Sequence, residues 1–219
     1  MQHLTRYWSR LALLGLVIMA FAAINLFAEL AEGMVENELD YFDQMFRQWI
    51  ENYQSPSLTS FFTIITEMGS SWFITILTLT TALALLYKQK RWQDAAALII
   101  MVGTGSLFTI VFKHLFQRER PMEDRLIDAI GYSFPSGHSV GSMVFYGFLI
   151  YLCMKIRWSP HWKASLSFIL GVIIILVGFS RIYLEAHYVT DVIAGFSLGF
   201  FFLALGIIWN EWWFRKKNE

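Results

Sequence analysis

Six long apolar runs, separated by short charged connectors, restrict the fold of this 219-residue chain more than any other feature. Each run comes close to the roughly 20 residues that a helix needs to cross a bilayer, where every backbone polar group must be satisfied within the segment. The chain is 56% hydrophobic and 17% aromatic, which is more than a soluble domain usually carries. We therefore predict an all-α, polytopic membrane protein that forms one domain over residues 1–219. The six predicted transmembrane helices cover residues 11–28, 71–87, 94–112, 138–154, 164–179 and 190–209.

The first run, Leu11 to Ala28, follows Arg6 and Arg10, and this arrangement has two interpretations. A secretory signal peptide shows the same order of charge and hydrophobicity, and small residues such as Ala20 and Ala22 could form its cleavage site. The run is nevertheless long enough to span the membrane and further spans follow it, so we favour a retained first helix. Under either interpretation the next segment lies outside the cell.

The segment from Glu29 to Gln54 is acidic and also carries an apolar face, because its apolar residues recur at steps of three and four. They are Leu30, Met34, Val35, Leu39, Phe42, Met45, Phe46, Trp49 and Ile50. We predict an amphipathic helical segment between spans 1 and 2 that lies on the membrane surface. It would either cover the ends of the bundle, which we favour, or gate lipid access. A new helix is predicted to start near Ser57, with a kink at Gly69-Ser70.

Basic residues gather in four regions of the chain, and the positive-inside rule assigns all four to the cytoplasmic side. They are Arg6 and Arg10, then Lys88, Lys90 and Arg91, then Lys155, Arg157, His161 and Lys163, and finally Arg215, Lys216 and Lys217. The acidic segment and the polar connectors after spans 3 and 5 then fall outside. Six spans predict the same arrangement by parity, with both termini in the cytoplasm.

Three polar stretches lie at the outer ends of spans 3 to 6. They are Lys113-x6-Arg120-Pro121, Pro135-Ser136-Gly137-His138, and Ser180-Arg181-x5-His187-x3-Asp191. Ionisable groups near a membrane are costly and usually face the bundle interior or a wet cavity. An arginine fork grips two phosphate oxygens, and a lysine adds a point charge. Several cations on one face therefore predict a site for an anionic ligand.

Two local patterns add to that prediction. His187 and Asp191 are four residues apart and would share a helical face, so that the carboxylate could fix the tautomer of the imidazole and leave its other nitrogen free to attack. Ser136 and Gly137 follow a proline and are predicted to start the fourth span, where backbone N–H groups and the helix dipole attract an anion. Gly137 has no Cβ, so a ligand could approach its backbone closely.

The three motifs together, in this order, resemble the signature of the type 2 phosphatidic acid phosphatase superfamily. That superfamily includes membrane lipid phosphatases, bacterial acid phosphatases and vanadium haloperoxidases. All three motifs are complete between Lys113 and Asp191, and the six-span layout extends the resemblance to nearly the whole chain. Length and hydropathy are similar to those of the bacterial membrane branch.

The resemblance implies a mechanism for this sequence. His187 would attack phosphorus and form a phosphohistidine, while Asp191 orients it and His138 protonates the leaving oxygen and then activates water. The phosphate-binding residues that the resemblance implies are Lys113, Arg120, Ser136, Gly137 and Arg181. It implies no metal and no other cofactor, since these cations would neutralise the phosphate.

The implied substrate is a membrane lipid phosphate: phosphatidylglycerol phosphate, undecaprenyl pyrophosphate, phosphatidate or diacylglycerol pyrophosphate. The implied location is the bacterial plasma membrane, with the active site on the extracytoplasmic face. A lipid phosphotransferase would use the same residues, because water and an acceptor hydroxyl compete for the phosphohistidine. Haloperoxidase activity is disfavoured by the many spans.

Other classes of function fit the sequence less well. A transporter or anion-binding scaffold is compatible with six spans, but no inverted repeat is visible and the polar residues cluster at one face. Zero formal net charge and the lack of a basic tract argue against nucleic-acid binding. The lone Cys153 lies in an apolar run and is interpreted as packing. Ala194, Gly195 and Gly199 form a small-residue pattern that predicts packing within the bundle more than dimerisation; the oligomeric state is left open.

Overall fold

A computed structural model describes residues 2–87, 90–121 and 131–217, with side chains described between residues 11 and 213. Within these ranges the chain is helical and contains no strand. The helices are α1 (Gln2–Val35), α2 (Asp40–Glu51), α3 (Pro56–Glu67), α4 (Ser71–Tyr87), α5 (Trp92–Phe116), α6 (Gly137–Lys155), α7 (Pro160–Tyr183) and α8 (Val189–Lys217). The predicted all-α fold is confirmed.

Five of these helices are long and apolar enough to cross a membrane: residues Leu11–Val35 of α1, together with α5, α6, α7 and the part of α8 up to Trp213. Helices α3 and α4 are bent by 42° at their break and add a sixth span when they are counted as one. The predicted number of spans is therefore approximately confirmed. Helix α4 has the bounds predicted for the second span, residues 71–87, and α3 adds a further segment to it when the bent pair is counted as one.

The break between α3 and α4 falls at the predicted Gly69-Ser70 kink and has a packing reason. A Cβ on Gly69 would lie 2.3 Å from Cγ1 of Val177, so a side chain at this position would collide with α7. The start of α3 also agrees with the prediction, since Ser55 accepts a hydrogen bond from the backbone of Leu58 at 3.4 Å and Pro56 follows it. Pro at the first helical position is favourable because its missing N–H would have no intrahelical partner.

Helix α8 packs against α1, α5 and α6, and α6 also packs on α7. The small residues of α8 allow the close approach to α6. A Cβ on Gly195 would lie 2.7 Å from the carbonyl oxygen of Ser136, and one on Gly199 would lie 2.9 Å from that of Val140. The small-residue pattern is therefore used for packing within the bundle, as predicted.

The outer segment differs from one helix over Glu29 to Gln54. Helix α1 continues to Val35, the chain turns with Asn37 in a left-handed conformation at φ 61°, and α2 begins at Asp40. Helix α2 is amphipathic as expected. Its buried side chains are Asp43 and Ile50, and its exposed ones include Tyr41, Met45 and Trp49; Tyr53, just after the helix, is also exposed. Such exposed aromatic side chains are typical of the bilayer–water interface.

The charge pattern behind the predicted orientation lies partly outside the described residues. Lys88 falls in a gap, and the side chains of Arg6, Arg10 and the tail at 215–217 are not among those described. The orientation of the termini therefore stays a prediction.

Candidate active site

The three motifs meet at one end of the bundle, around a cavity of about 460 Å³. Six of the predicted site residues line it: Lys113, Arg120, Gly137, His138, Arg181 and His187. The other two, Ser136 and Asp191, are fully buried beside this lining. Both predicted catalytic histidines thus face one cavity, and the ends of α5, α6 and α7 and the loop before α8 bring the site together.

Lys113 lies in the last turn of α5 rather than at the start of a loop. The predicted span ended at residue 112, but α5 continues to Phe116. The helix ends at Gln117, which adopts a left-handed conformation at φ 50° and bonds the carbonyl of Lys113 at 3.0 Å. The Lys113 ammonium donates to the carbonyls of Tyr132 and, at 3.3 Å, Ser133. This lysine therefore joins α5 to the segment that leads into α6.

The start of α6 forms the second wall of the cavity. Ser136 is its N-cap, and its Oγ accepts hydrogen bonds from the backbone N–H and the hydroxyl of Ser139 at 3.4 and 3.1 Å. Gly137 follows as the first helical residue, so the positive end of the α6 dipole is directed to the cavity. The nearest atom that a Cβ on Gly137 would meet is Cγ2 of Thr109 at an ordinary 3.5 Å, so packing does not demand glycine here.

His187 and Asp191 do not share a helical face, because His187 lies in the loop between α7 and α8 and only Asp191 is helical. Asp191 instead reaches back to accept the backbone N–H of Tyr188 at 2.9 Å, which is the carboxylate half of a capping box. The pair is still adjacent, with Nδ1 of His187 3.5 Å from Oδ2 of Asp191. That distance is too long for a good hydrogen bond.

Ser133 bridges this gap. Its Oγ lies 3.2 Å from Nδ1 of His187 and donates to Oδ2 of Asp191 at 2.5 Å. On the other side of the ring, Nη1 of Arg120 lies 3.3 Å from Nε2. A guanidinium can only donate, so Nε2 is the acceptor and Nδ1 carries the proton. The result is a continuous chain from His187 Nδ1–H through the Ser133 hydroxyl to the Asp191 carboxylate, while the Nε2 lone pair accepts from Arg120.

The surroundings of His187 keep it neutral. Burial, together with the positive charges of Arg181, Lys113 and Arg120, holds the pKa of His187 well below its ordinary value of 6.5. The imidazole is therefore unprotonated at neutral pH, which is the form that can act as a nucleophile.

Arg118 holds the far side of Asp191. Its Nη1 donates to Oδ1 of Asp191 at 2.6 Å, and its Nη2 donates to Oδ2 of Asp43, on α2, at 2.7 Å. Its guanidinium carbon also lies 4.2 Å from the ring centroid of Tyr188. Burial lowers the pKa of Arg118, but the carboxylates of Asp191 and Asp43 outweigh it, and the pKa is raised above its ordinary value. Asp191 is thus paired with a permanent cation.

Arg181, in the last turn of α7, is buried and still has capacity for a ligand. Its Nη1 donates to Oγ1 of Thr66 at 2.7 Å, whereas its Nε is buried without a hydrogen-bond partner among the described residues. A buried unpaired donor is costly, and an anion in the cavity would satisfy it. Glu67 is a carboxylate on the cavity wall, where it accepts the indole N–H of Trp72 at 2.9 Å.

Four residues that complete this arrangement were not predicted from the sequence motifs: Asp43, Thr66, Ser133 and Arg118. Ser133 lies just before the second motif, and Arg118 lies inside the spacer of the first, so both positions adjoin a signal that was found. Asp43 and Thr66 come from distant helices, where nothing in the local pattern distinguishes them from other surface or span residues.

Among the described residues, no group of three or more His, Cys, Asp or Glu side chains is arranged to hold a metal ion. The predicted independence from metals stays a prediction that a chelator can test.

Comparisons with known proteins agree with the geometry. The sequence model of the PAP2 superfamily matches residues 94–215, which include all three motifs. Phosphatidylglycerophosphatase B of Bacillus subtilis is 34% identical over 194 residues, covering 87% of this chain and 95% of that protein. A putative undecaprenyl-diphosphatase of Escherichia coli is 31% identical over 148 residues, covering 63% of this chain and 68% of that protein.

A solved structure shows the same fold. The crystal structure of a transmembrane PAP2-type phosphatidylglycerolphosphate phosphatase from Bacillus subtilis superposes with a TM-score of 0.83. It is 31% identical and covers 88% of this chain and 96% of that one. With the apolar helices of this chain, these relatives identify a multi-pass membrane protein.

Proposed function

Because the chain belongs to the PAP2 superfamily, we propose that it is a lipid phosphate phosphatase that removes the terminal phosphate of a membrane lipid. One observation carries the proposal: the unprotonated Nε2 of His187 faces a cavity bordered by Lys113, Arg120 and Arg181. A nucleophile and three phosphate-binding cations converge on the same space.

In the first step, Nε2 of His187 attacks phosphorus and forms a phosphohistidine. Positive charge develops on the imidazole as the N–P bond forms, and the chain of contacts from Nδ1–H through Ser133 to the Asp191 carboxylate stabilises that charge. This is the role that a carboxylate plays in a catalytic triad, where it holds the tautomer and stabilises the charged ring. The P–O bond to the leaving group breaks as the N–P bond forms, and His138, in the imidazolium form that the negative charge of the bound phosphate favours, donates a proton to the departing oxygen.

In the second step, His138 has lost that proton and acts as a base toward water, which attacks the phosphohistidine and releases phosphate. His138 lies at the second position of α6 and lines the same cavity as His187. The phosphohistidine thereby returns to free His187, and both histidines regain their starting protonation states.

The cations and the first turn of α6 would bind the phosphoryl oxygens. Arg181 offers its unpaired Nε, Lys113 and Arg120 line the cavity, and Gly137 adds a backbone N–H at the positive end of a helix. Removing one such donor typically costs about 10²–10³ in rate. Three fixed cations support a metal-independent reaction. Ser136 would act through the cap that fixes this turn.

The cavity supports a lipid substrate because its wall includes residues that face outward from the bundle. Trp72 on α4 and Ile110 on α5 both line the cavity and are more than half exposed, so a headgroup can pass between these helices from the bilayer. The names of the relatives favour phosphatidylglycerol phosphate first and undecaprenyl pyrophosphate second. Phosphatidate and diacylglycerol pyrophosphate present comparable terminal phosphates.

We assign the site to the extracytoplasmic face of a bacterial plasma membrane, with both termini in the cytoplasm. The support is the distribution of basic residues in the sequence and the positive-inside rule.

Phosphate release tests the proposal. Purified protein in detergent, with chelator present, is expected to release phosphate from phosphatidylglycerol phosphate, and relative rates with undecaprenyl pyrophosphate and phosphatidate rank the substrates. The His187→Ala variant should be inactive. As a control, Ser142→Ala changes a buried serine further along α6 and should behave as wild type. A phosphorylated acceptor without free phosphate would identify a phosphotransferase instead, and turnover by His187→Ala would contradict the covalent mechanism.

A further inference from the structure

We propose that Asp43 and Arg118 form a buried positioning pair that ties helix α2 to the catalytic carboxylate Asp191, which makes α2 a working part of the site rather than a cover. This inference rests on the proposed function, since it concerns how His187 is held for attack. Neither member of the pair belongs to the three sequence motifs.

The first support is the geometry of the guanidinium. Arg118 holds Asp191 with Nη1 at 2.6 Å and Asp43 with Nη2 at 2.7 Å. The side chains of all three are nearly excluded from solvent, with exposures of 9% for Arg118, 1% for Asp43 and 0% for Asp191. A guanidinium is planar and rigid, so fixing one of its ends fixes the direction of the other. Asp43 thus sets the direction from which Arg118 meets Asp191.

The second support is that Asp43 also holds the start of α8. Its Oδ1 accepts the backbone N–H of Thr190 at 3.1 Å, and its Oδ2 accepts the Thr190 hydroxyl at 2.6 Å. Thr190 lies in the first turn of α8, where backbone N–H groups have no intrahelical acceptor and a carboxylate is favourable. Asp43 therefore caps, from another helix, the turn that carries Asp191.

These contacts determine which oxygen of Asp191 serves the histidine. Oδ1 is taken by Arg118, which leaves Oδ2 for the Ser133 hydroxyl that bonds His187. Without Asp43, Arg118 would keep only one carboxylate and the first turn of α8 would lose its cap. Asp191 could then rotate, and the Ser133 link to the imidazole would weaken. The cations that bind phosphate would stay in place.

A kinetic experiment separates this role from a structural one. Asp43→Asn should lower kcat by roughly 10–100-fold with little change in KM, which is the usual effect of removing a residue that orients a functional side chain. Arg47→Gln is the matched control one helical turn further along α2. It breaks the bonds of Arg47 to Glu51 and to the Pro121 carbonyl but touches neither Asp191 nor Arg118, and it should leave kcat unchanged.

Coupling to Asp191 gives the sharper readout. In an Asp191→Asn background, followed with radiolabelled substrate, Asp43→Asn should cause little further loss, because its effect acts through Asp191. If Asp43→Asn gives too little folded protein, Thr190→Val removes only the hydroxyl that bonds Asp43 and Arg118, and it should show a smaller fall in kcat that likewise disappears in the Asp191→Asn background. Independent, multiplicative losses in the double variant, or a wild-type kcat in Asp43→Asn, would overturn the positioning role. Absence of phosphate release by the wild type would overturn the proposed function itself.

Discussion

The two ends of the bundle both bury charge, but they use it differently. At the end opposite the site, Asp94 at the start of α5 is fully buried and accepts hydrogen bonds from Arg91 at 2.5 Å and Asn210 at 2.6 Å. Nearby, Glu211 pairs with Lys155 at 2.8 Å and accepts the Tyr151 hydroxyl at 2.7 Å. Each carboxylate there is matched by a basic side chain of the protein.

At the site end, Arg118 is matched in this way, whereas three other cations line a cavity. Arg118 takes both Asp43 and Asp191, whereas Lys113, Arg120 and Arg181 line the open space. Burial of charge alone therefore does not mark a functional site. What distinguishes the site end is a cavity whose described lining holds three cationic side chains and one carboxylate, Glu67, around a volume that a phosphate can fill.

The largest contrast should come from removing one arginine at each end. Arg181→Gln is expected to reduce kcat/KM by about 10²–10³ because it removes a donor to the transition state, with little change in thermal stability. Arg91→Gln removes the cation that pairs with Asp94 and should lower the free energy of unfolding by about 1–3 kcal/mol; the figure is modest because the arginine is partly exposed. The activity per folded molecule should be unchanged. Phosphate-release kinetics and thermal unfolding in detergent measure both effects; similar losses of activity in the two variants would remove the distinction.

Ser133 tests whether the site end works as a connected chain. Ser133→Ala removes the hydroxyl between His187 and Asp191 and should lower kcat by roughly 10–100-fold with KM nearly unchanged, because the link acts on charge that develops during attack. Steady-state kinetics measure the two parameters separately. Ser133→Thr keeps the hydroxyl and should recover part of the rate, and an alanine variant with wild-type kcat would show that the bridge is not used.

Two glycines near the site should separate ligand contact from packing. Gly195→Ala places a Cβ 2.7 Å from the Ser136 carbonyl and should destabilise the protein by about 1–3 kcal/mol through overpacking. Gly137→Ala meets no close neighbour and should fold normally, yet raise KM because its methyl group enters the phosphate space. Unfolding curves and KM values check the pair, and a reversed outcome would argue against phosphate binding at the start of α6.

The smallest effect is a shift in pH dependence. Burial and three cations lower the pKa of His187, so the acid limb of kcat/KM that reports on the free enzyme should lie below pH 6.5. Lys113→Gln removes one positive charge that opposes protonation, so the pKa of His187 rises and the acid limb moves to higher pH. Arg91→Gln should leave the limb in place. A downward shift in the lysine variant would contradict the electrostatic description.

The sequence predicted the approximate number of spans and the meeting of the three motifs because both depend on strong local signals, whereas the catalytic and binding roles of the motif residues stay predictions. Long apolar runs leave few alternatives in a bilayer, and spans that alternate in direction necessarily bring the ends of α5 and α7 to the same face. Lys113, His138 and His187 therefore meet in one cavity as expected.

The details that the sequence did not predict depend on contacts between distant segments. The apolar spacing continues smoothly past Asn37, but the backbone turns there and separates α2 from α1. His187 and Asp191 have helical spacing, but the chain uses the carboxylate to cap α8 and inserts Ser133 between the two side chains. Asp43 looks like any acidic residue on a surface helix until its partner Arg118 is placed against it.

Trapping the covalent intermediate tests the central claim most directly. The wild-type protein and the His138→Ala variant are each mixed with phosphatidylglycerol phosphate. The reaction is quenched in alkali, which preserves phosphohistidine, and the digested protein is mapped by mass spectrometry. Phosphate is expected on His187 in the wild type, and in His138→Ala it should still be detectable on His187 although turnover falls, because that variant lacks both the acid of the first step and the base of the second. Phosphate on another residue, or turnover with no phosphorylated His187 at any time point, would contradict the central claim.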